Sequence, residues 1–191
     1  MINLPKLVLA SGSPRRAEIL RSVGWEFETD VPDIDESELL GETPEVYVQR
    51  LAMSKANTVA QKHTTRLVLG ADTTVVLHGR IIGKPQDLDD ASCMLRSLSG
   101  NWHEVLTGIA LAKDNTVAVA MQRTRVKFAE LTNEAIGFLV EHGTPLDKAG
   151  AYAVQAQAAL FIEQIEGDYW NVVGLPINLV YETMLKNFPG E

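Results

Sequence analysis

The sequence contains one cysteine, Cys93, in 191 residues. A lone thiol excludes an internal disulfide framework and suits a reducing compartment. Its neighbours Met94, Leu95 and Leu98 place it in a helix interior, as an inert core thiol. Basic residues are in deficit, with 17 Lys and Arg against 25 Asp and Glu and a formal net charge of −8. A chain of that sign has no general grip on nucleic acid or an anionic membrane, so any anion site must be local. No uninterrupted apolar run approaches the roughly 18 residues of a membrane span, and the early Leu-Val-Leu-Ala burst is shorter than a signal-peptide core. These absences predict a cytoplasmic protein that binds neither nucleic acid nor membrane. His63, His78, His103 and His142 form no H-x-x-x-H pair, which argues against zinc, and the lone cysteine argues against Cys/His nucleophilic catalysis. Trp25, Trp102 and Trp170 lack interleaved basic residues, so packing explains them better than base stacking. Repeats, low-complexity tracts and Gly/Ser linkers are missing too, and the expectation is a single domain over residues 1–191.

What is there suffices for a core, since 46% of residues are hydrophobic. Lys6–Ala10 reads as a buried strand and Ala17–Val23 as a helix ending before Gly24. The acidic run from Asp30 to Glu42 is too charged for the core and reads as a surface loop. Thr43 caps a helix with Pro44 at its first position, running to about Gln61. Next come a strand, a Gly70-Ala71-Asp72 interruption, a second strand, a glycine turn and a short strand ending at Pro85. Asp89–Leu98 has helical spacing; His103–Ala112 and Val117–Phe128 read as a hairpin; Thr132 caps a helix through His142. The last third reads mostly as strand, before a helix that starts at Pro176 and stops at Pro189-Gly190. Interleaved helices and strands predict an α/β fold with a mixed β-sheet and flanking helices.

Ser11-Gly12-Ser13-Pro14, between a strand and a helix start, aims backbone N–H groups and hydroxyls at one spot, where the helix dipole favours an anion. Arg15 and Arg16 add forked donors suited to phosphate oxygens. The plainer reading is a helix whose first-turn arginines face water. Lys55 shares a helix face with Leu51 and Val59, four residues to either side, and either snorkels to the surface or meets an anion in a cleft. Lys84 is held extended by Pro85, and Lys148 sits in a loop where it offers another ammonium. Asp72 follows a buried-looking run and is read as a strand-end acid, a costly guest unless it meets a metal, acts as a base or caps N–H groups. Glu36 could join it around Mg²⁺, which favours one or two carboxylates plus phosphate oxygens, although plain solvation also accounts for it. Cations, an anion loop and a buried acid together suit hydrolysis of a polyphosphate, with Asp72 as the base.

Six segments, LASGSPRR, GADTTV, GKP, LSGNWHEVLTG, LDKAGAYAVQ and IEGDYWNVVGLP, resemble in content and order the motifs of the Maf family of nucleoside triphosphate pyrophosphatases. The resemblance implies a Maf/inosine-triphosphatase-like fold with two lobes around a nucleotide cleft. It implies hydrolysis between the α and β phosphates with a divalent metal, Mg²⁺ or Mn²⁺, and it suggests a homodimer. By position, the family's proton acceptor falls on Asp72, its Ser-Gly-Ser-Pro-Arg-Arg loop on Ser11 to Arg16, and its cleft glutamate and lysines on Glu36, Lys55 and Lys84. Base-selecting positions fall on Arg15, Thr73 and Gln155, and Thr73 after the aspartate resembles the dTTP/UTP branch. A 7-methyl-GTP pyrophosphatase, or a nucleotide-binding regulator of cell division without turnover, is the alternative. Ala156 departs from the glycine usual after the glutamine.

Overall fold

Strand β1 (Leu7–Ala10) has all four side chains buried, the pattern of a strand covered on both faces. It pairs in parallel with β2 (Phe27–Thr29) and with β3 (Leu67–Leu77). This computed structural model describes residues 4–189. Among the described residues the strands form one seven-stranded sheet in the order β2-β1-β3-β5-β6-β7, with β4 (Arg80–Ile82) off that path against β3. Here β5 is Trp102–Lys113, β6 is Thr116–Phe128 and β7 is Ile162–Glu166. The β3–β4 and β6–β7 pairs are antiparallel, so the sheet is mixed, as the interleaved elements predict.

The chain divides into two compact units, the first Met1–Asp72, Thr107–Gln122 and Gly174–Glu191, the second Thr73–Leu106 and Arg123–Val173. In the first, α1 (Pro14–Ser22), α2 (Pro44–Ala60) and α6 (Ile177–Asn187) accompany the strands. Thr43 Oγ1 accepts from the Val46 N–H, the expected cap of α2. A core of Val8, Ala10, Ala52, Ala56, Val59, Val68, Ala110 and Ala112 packs α2 against β1, β3 and β5. Small residues dominate because the helix lies close: a Cβ on Gly70 would sit 2.3 Å from the Ala52 carbonyl oxygen, and one on Gly108 2.3 Å from that of Val48. This corrects the expected break at Gly70-Ala71-Asp72. β3 is continuous over Leu67–Leu77, Gly70 clears space for α2 instead of ending a strand, and Asp72 lies mid-strand. The Pro189-Gly190 stop lies partly outside the described residues; within them α6 ends at Asn187.

In the second unit, α3 (Leu88–Leu98) packs against α4 (Asn133–His142). The buried stripe of α3 is Ala91, Leu95 and Leu98. Cys93 lies on the opposite side of the helix and is exposed, so it is not the core thiol expected from its apolar neighbours. A second correction concerns residues 145–160. They form short 3₁₀ turns (Pro145–Asp147, Ala149–Ala151, Gln157–Leu160); the strand expected from Ala149 onward does not form before Ile162, and the φ of 67° and 64° at Gly150 and Ala151 are incompatible with extended chain there. Residues Tyr169–Val173, also read as strand, form a short helix, α5. No helix among the described residues is long and apolar enough to cross a membrane.

Candidate active site

Each unit carries part of the expected residue set. In the first, Lys55 projects from the buried face of α2, and its ammonium lies 2.7 Å from Asp72 Oδ1 and 2.7 Å from Glu36 Oε1. Lys55 is 8% exposed and Asp72 7%, so the lysine does not snorkel. Gly70 lets α2 lie close to β3 beside this contact, since a Cβ there would press on the Ala52 and Ala56 backbone. Burial pushes the Asp72 carboxyl above its ordinary range; Lys55 and Arg16 oppose that shift and Glu36 adds to it. A buried carboxylate with a raised pKa is a better proton acceptor near neutrality than an exposed one.

Glu36 arrives from the acidic loop, which is exposed as expected, yet its carboxylate is not simply solvated. Ser11 Oγ accepts from Arg16 Nη1 at 2.8 Å and from the Ser13 N–H at 3.3 Å. Arg16 Nε donates to the Gly174 carbonyl at 2.9 Å, so this arginine is buried and anchored, not facing water. Burial draws its pKa down from the ordinary guanidinium value, with Asp72 acting in the opposite direction. Arg15 is half-buried beside it. Ser13 makes no side-chain cap, Pro14 opens α1 and its first turn holds no acid, an N-terminus with the polarity an anion requires.

The second unit holds Thr73, half-buried, with Lys84 and Gln155 exposed. The Gly150 N–H donates to the Gly83 carbonyl at 3.0 Å, which ties the 145–160 turns to the loop that carries Lys84. Ala156 has a negative φ, −121°, so no left-handed backbone at this position calls for the glycine that it replaces. Lys148 is not the spare ammonium its loop position suggests. Its Nζ donates to the Thr144 carbonyl at 2.6 Å, Thr144 Oγ1 at 2.8 Å and Asp147 Oδ1 at 2.6 Å, which uses all three protons. His103 is buried, with Nε2 2.7 Å from Tyr152 Oη and its ring stacked on Phe128. Burial lowers its pKa to about 4.

The structure thus brings Glu36, Lys55 and Asp72 together and joins Ser11 to Arg16. Sequence reasoning missed Gly174, whose carbonyl anchors Arg16, and Tyr47 and Arg50 on α2 beside the acidic loop. A Tyr and an Arg three apart on one helix face were the available signal. Over residues 6–188 the sequence matches the family of Maf-like proteins. The chain belongs to the Maf family. Among curated Maf relatives, the dTTP/UTP pyrophosphatase of Symbiobacterium thermophilum is 48% identical over 97% of this chain and 95% of its own length. That of Geotalea uraniireducens is 50% identical, with 94% of each chain covered. Among solved structures, the Staphylococcus aureus Ham1 protein is similar in fold, with a TM-score of 0.53 at 16% identity over 95% of this chain and 98% of its own. The Maf assignment agrees with the order and content of the six motifs.

Proposed function

We propose that this Maf protein hydrolyses dTTP and UTP to the nucleoside monophosphate and pyrophosphate. One observation carries the reading: a buried aspartate with a raised pKa shares the Lys55 ammonium with Glu36. The names of its Maf relatives support the substrate. Asp72 takes the proton of a water molecule whose oxygen bonds to phosphorus, while the bridging P–O bond of the α–β anhydride breaks and pyrophosphate leaves. Lys55 keeps Asp72 ionised and oriented. Ser11, Arg15, Arg16 and the amides that open α1 take phosphate oxygens. On the family resemblance, Lys84 also takes phosphate, and Arg15, Thr73 and Gln155 select the base.

The donor chemistry fits a divalent metal. Glu36 and Asp72 supply hard carboxylate oxygens, and among the described residues no group of three or more His, Cys, Asp or Glu could hold an ion unaided. Mg²⁺ and Mn²⁺ sites that use one or two carboxylates take their remaining ligands from substrate phosphate and water. Such an ion would neutralise phosphate charge, with Glu36 and Asp72 as its protein ligands. A cytoplasmic setting, a homodimer and one functional domain over residues 1–191 belong to the same proposal. A panel of nucleoside triphosphates scored for pyrophosphate release tests the reading. The expected result is fastest turnover of dTTP and UTP; fastest turnover of 7-methyl-GTP, or no hydrolysis of any triphosphate, overturns it.

A further inference from the structure

Glu36 lies in a segment without helix or strand, and its side chain is half exposed, yet its carboxylate meets a buried ammonium at 2.7 Å. Something must hold that loop, because an exposed acidic run repels itself and gains nothing from the core. The described contacts show what does. Tyr47 Oη donates to the carbonyl of Glu36 itself at 3.0 Å. Arg50 Nη2 donates to the next carbonyl, that of Ser37, at 2.9 Å. Arg50 also grips the far end of the loop through a two-pronged pair with Glu42, at 2.6 Å from Nε to Oε1 and 2.7 Å from Nη2 to Oε2. Its guanidinium lies over the Tyr47 ring, 5.6 Å from the centroid. Within the loop, Asp35 Oδ1 accepts from the Ser37 N–H at 2.9 Å, and Glu42 Oε2 accepts from the Leu39 N–H at 3.2 Å.

Tyr47, Arg50 and Lys55 all belong to α2, so one rigid element carries both the lysine that receives Glu36 and the side chains that deliver it. Two backbone carbonyls fixed in succession determine where the Glu36 side chain starts, which a contact to the carboxylate alone would not do. Glu42 is the carboxylate that keeps the planar Arg50 fork aimed.

We infer that Tyr47 and Arg50 are positioning residues for catalysis: together with Glu42 they clamp the acidic loop onto α2 so that Glu36 is held against Lys55 and Asp72. The inference rests on the proposal that Glu36 serves the hydrolytic site. Neither residue need touch substrate, and their contribution is to turnover. Tyr47 remains a phenol donor throughout the neutral range, because burial and the nearby carboxylates push its pKa up to about 12. A fully rigid loop is not required, only a population of the closed arrangement high enough that ordering it does not add to the barrier.

A double-mutant cycle on dTTP hydrolysis by the full chain tests this, with Arg50→Ala, Tyr47→Phe and Glu36→Gln measured singly and in pairs for kcat, KM and Tm. Arg50→Ala should lower kcat about tenfold, as loss of positioning does. Tyr47→Phe, which removes one hydroxyl and leaves the fold intact, should lower it about threefold. Both losses should fall in kcat rather than KM, with Tm down by no more than about 4 °C. In the Glu36→Gln background each change should cost less than about twofold, because the group being positioned is already gone. Losses that multiply undiminished on Glu36→Gln, or that fall only in KM, overturn the clamp while leaving Glu36 in the site; so does an unchanged kcat in Arg50→Ala and Tyr47→Phe. Wild-type turnover in Glu36→Gln itself overturns both the clamp and the role of Glu36.

Discussion

Lys55 and Lys148 are each only 8% exposed, and both ammonium groups are engaged by close oxygens, but their partners differ in origin. Lys55, in the first unit, draws Glu36 and Asp72 from 19 and 17 residues away in sequence. Lys148, in the second, finds its acceptors at Thr144 and Asp147, within four residues. A buried lysine that gathers distant carboxylates assembles a reactive cluster, whereas one satisfied by its own turn sets the shape of a loop. Burial alone would have made the two look alike. The sequence distance to the partners tells them apart, and the consequences of removing each should differ in kind.

Lys55→Met should have the largest effect. It takes away the ammonium that Glu36 and Asp72 share and removes the main influence that opposes the raised pKa of Asp72, leaving Arg16 as the remaining one. Turnover should fall on the order of a hundredfold or more, and the acid limb of the kcat/KM profile should move to higher pH. Stability should drop by about 3 kcal/mol, the usual cost of breaking a buried ion pair from one side. Urea titration and a pH–rate profile check both. Gly70→Ala comes next, because the new Cβ would press on the Ala52 backbone of α2, which cannot swing aside as a side chain can. The expected loss is about 3 kcal/mol with reduced turnover, whereas Gly83→Ala, with open space around it, should stay within about 0.5 kcal/mol. Equal effects of the two would break the account of α2 packing.

Lys148→Met should cost less, about 2 kcal/mol, since its partners are local and partly solvated and the methionine keeps the buried stem. A modest loss of kcat/KM is expected with no movement of the acid limb; a shift like that of Lys55→Met would erase the distinction between the two lysines. The smallest effect near neutrality concerns His103. Its folded pKa, about 4, lies below the ordinary histidine value, so the unfolded chain takes up the proton first as pH falls. The stability present above pH 6.5 is therefore lost between 6.5 and 4, by about 1 kcal/mol at pH 5.5. His103→Gln should flatten the dependence of Tm on pH across that window.

Much of this was legible in the chain because it depends on local chemistry. The Thr43-Pro44 start of α2, the Thr132 cap and the β5–β6 hairpin follow from capping and turn residues, and they formed as read. Asp72 stood out because a carboxylate amid Leu, Val and Ala demands a reason. What could not be read depends on approach between segments. Gly70 marks a strand interruption by composition and a helix crossing in three dimensions. The Ala-rich stretch after Lys148 has the composition of a strand, but Gly150 and Ala151 have positive φ and the chain runs through 3₁₀ turns as far as Leu160. Cys93 shares its apolar neighbours with a core residue but not their side of the helix. Tyr47 and Arg50 show in sequence only as neighbours on one helix face, and that spacing does not say what they hold, since the loop has no periodicity from which its path could be inferred.

Asp72→Asn measures the central claim most directly, with dTTP binding followed by calorimetry and pyrophosphate release followed alongside. The amide keeps the size of the side chain and cannot take a proton from water. Nucleotide affinity within a few-fold of the parent, with turnover reduced about a thousandfold or more, is the predicted result. An Asp72→Asn protein that binds dTTP and releases pyrophosphate at the parent's rate would contradict it.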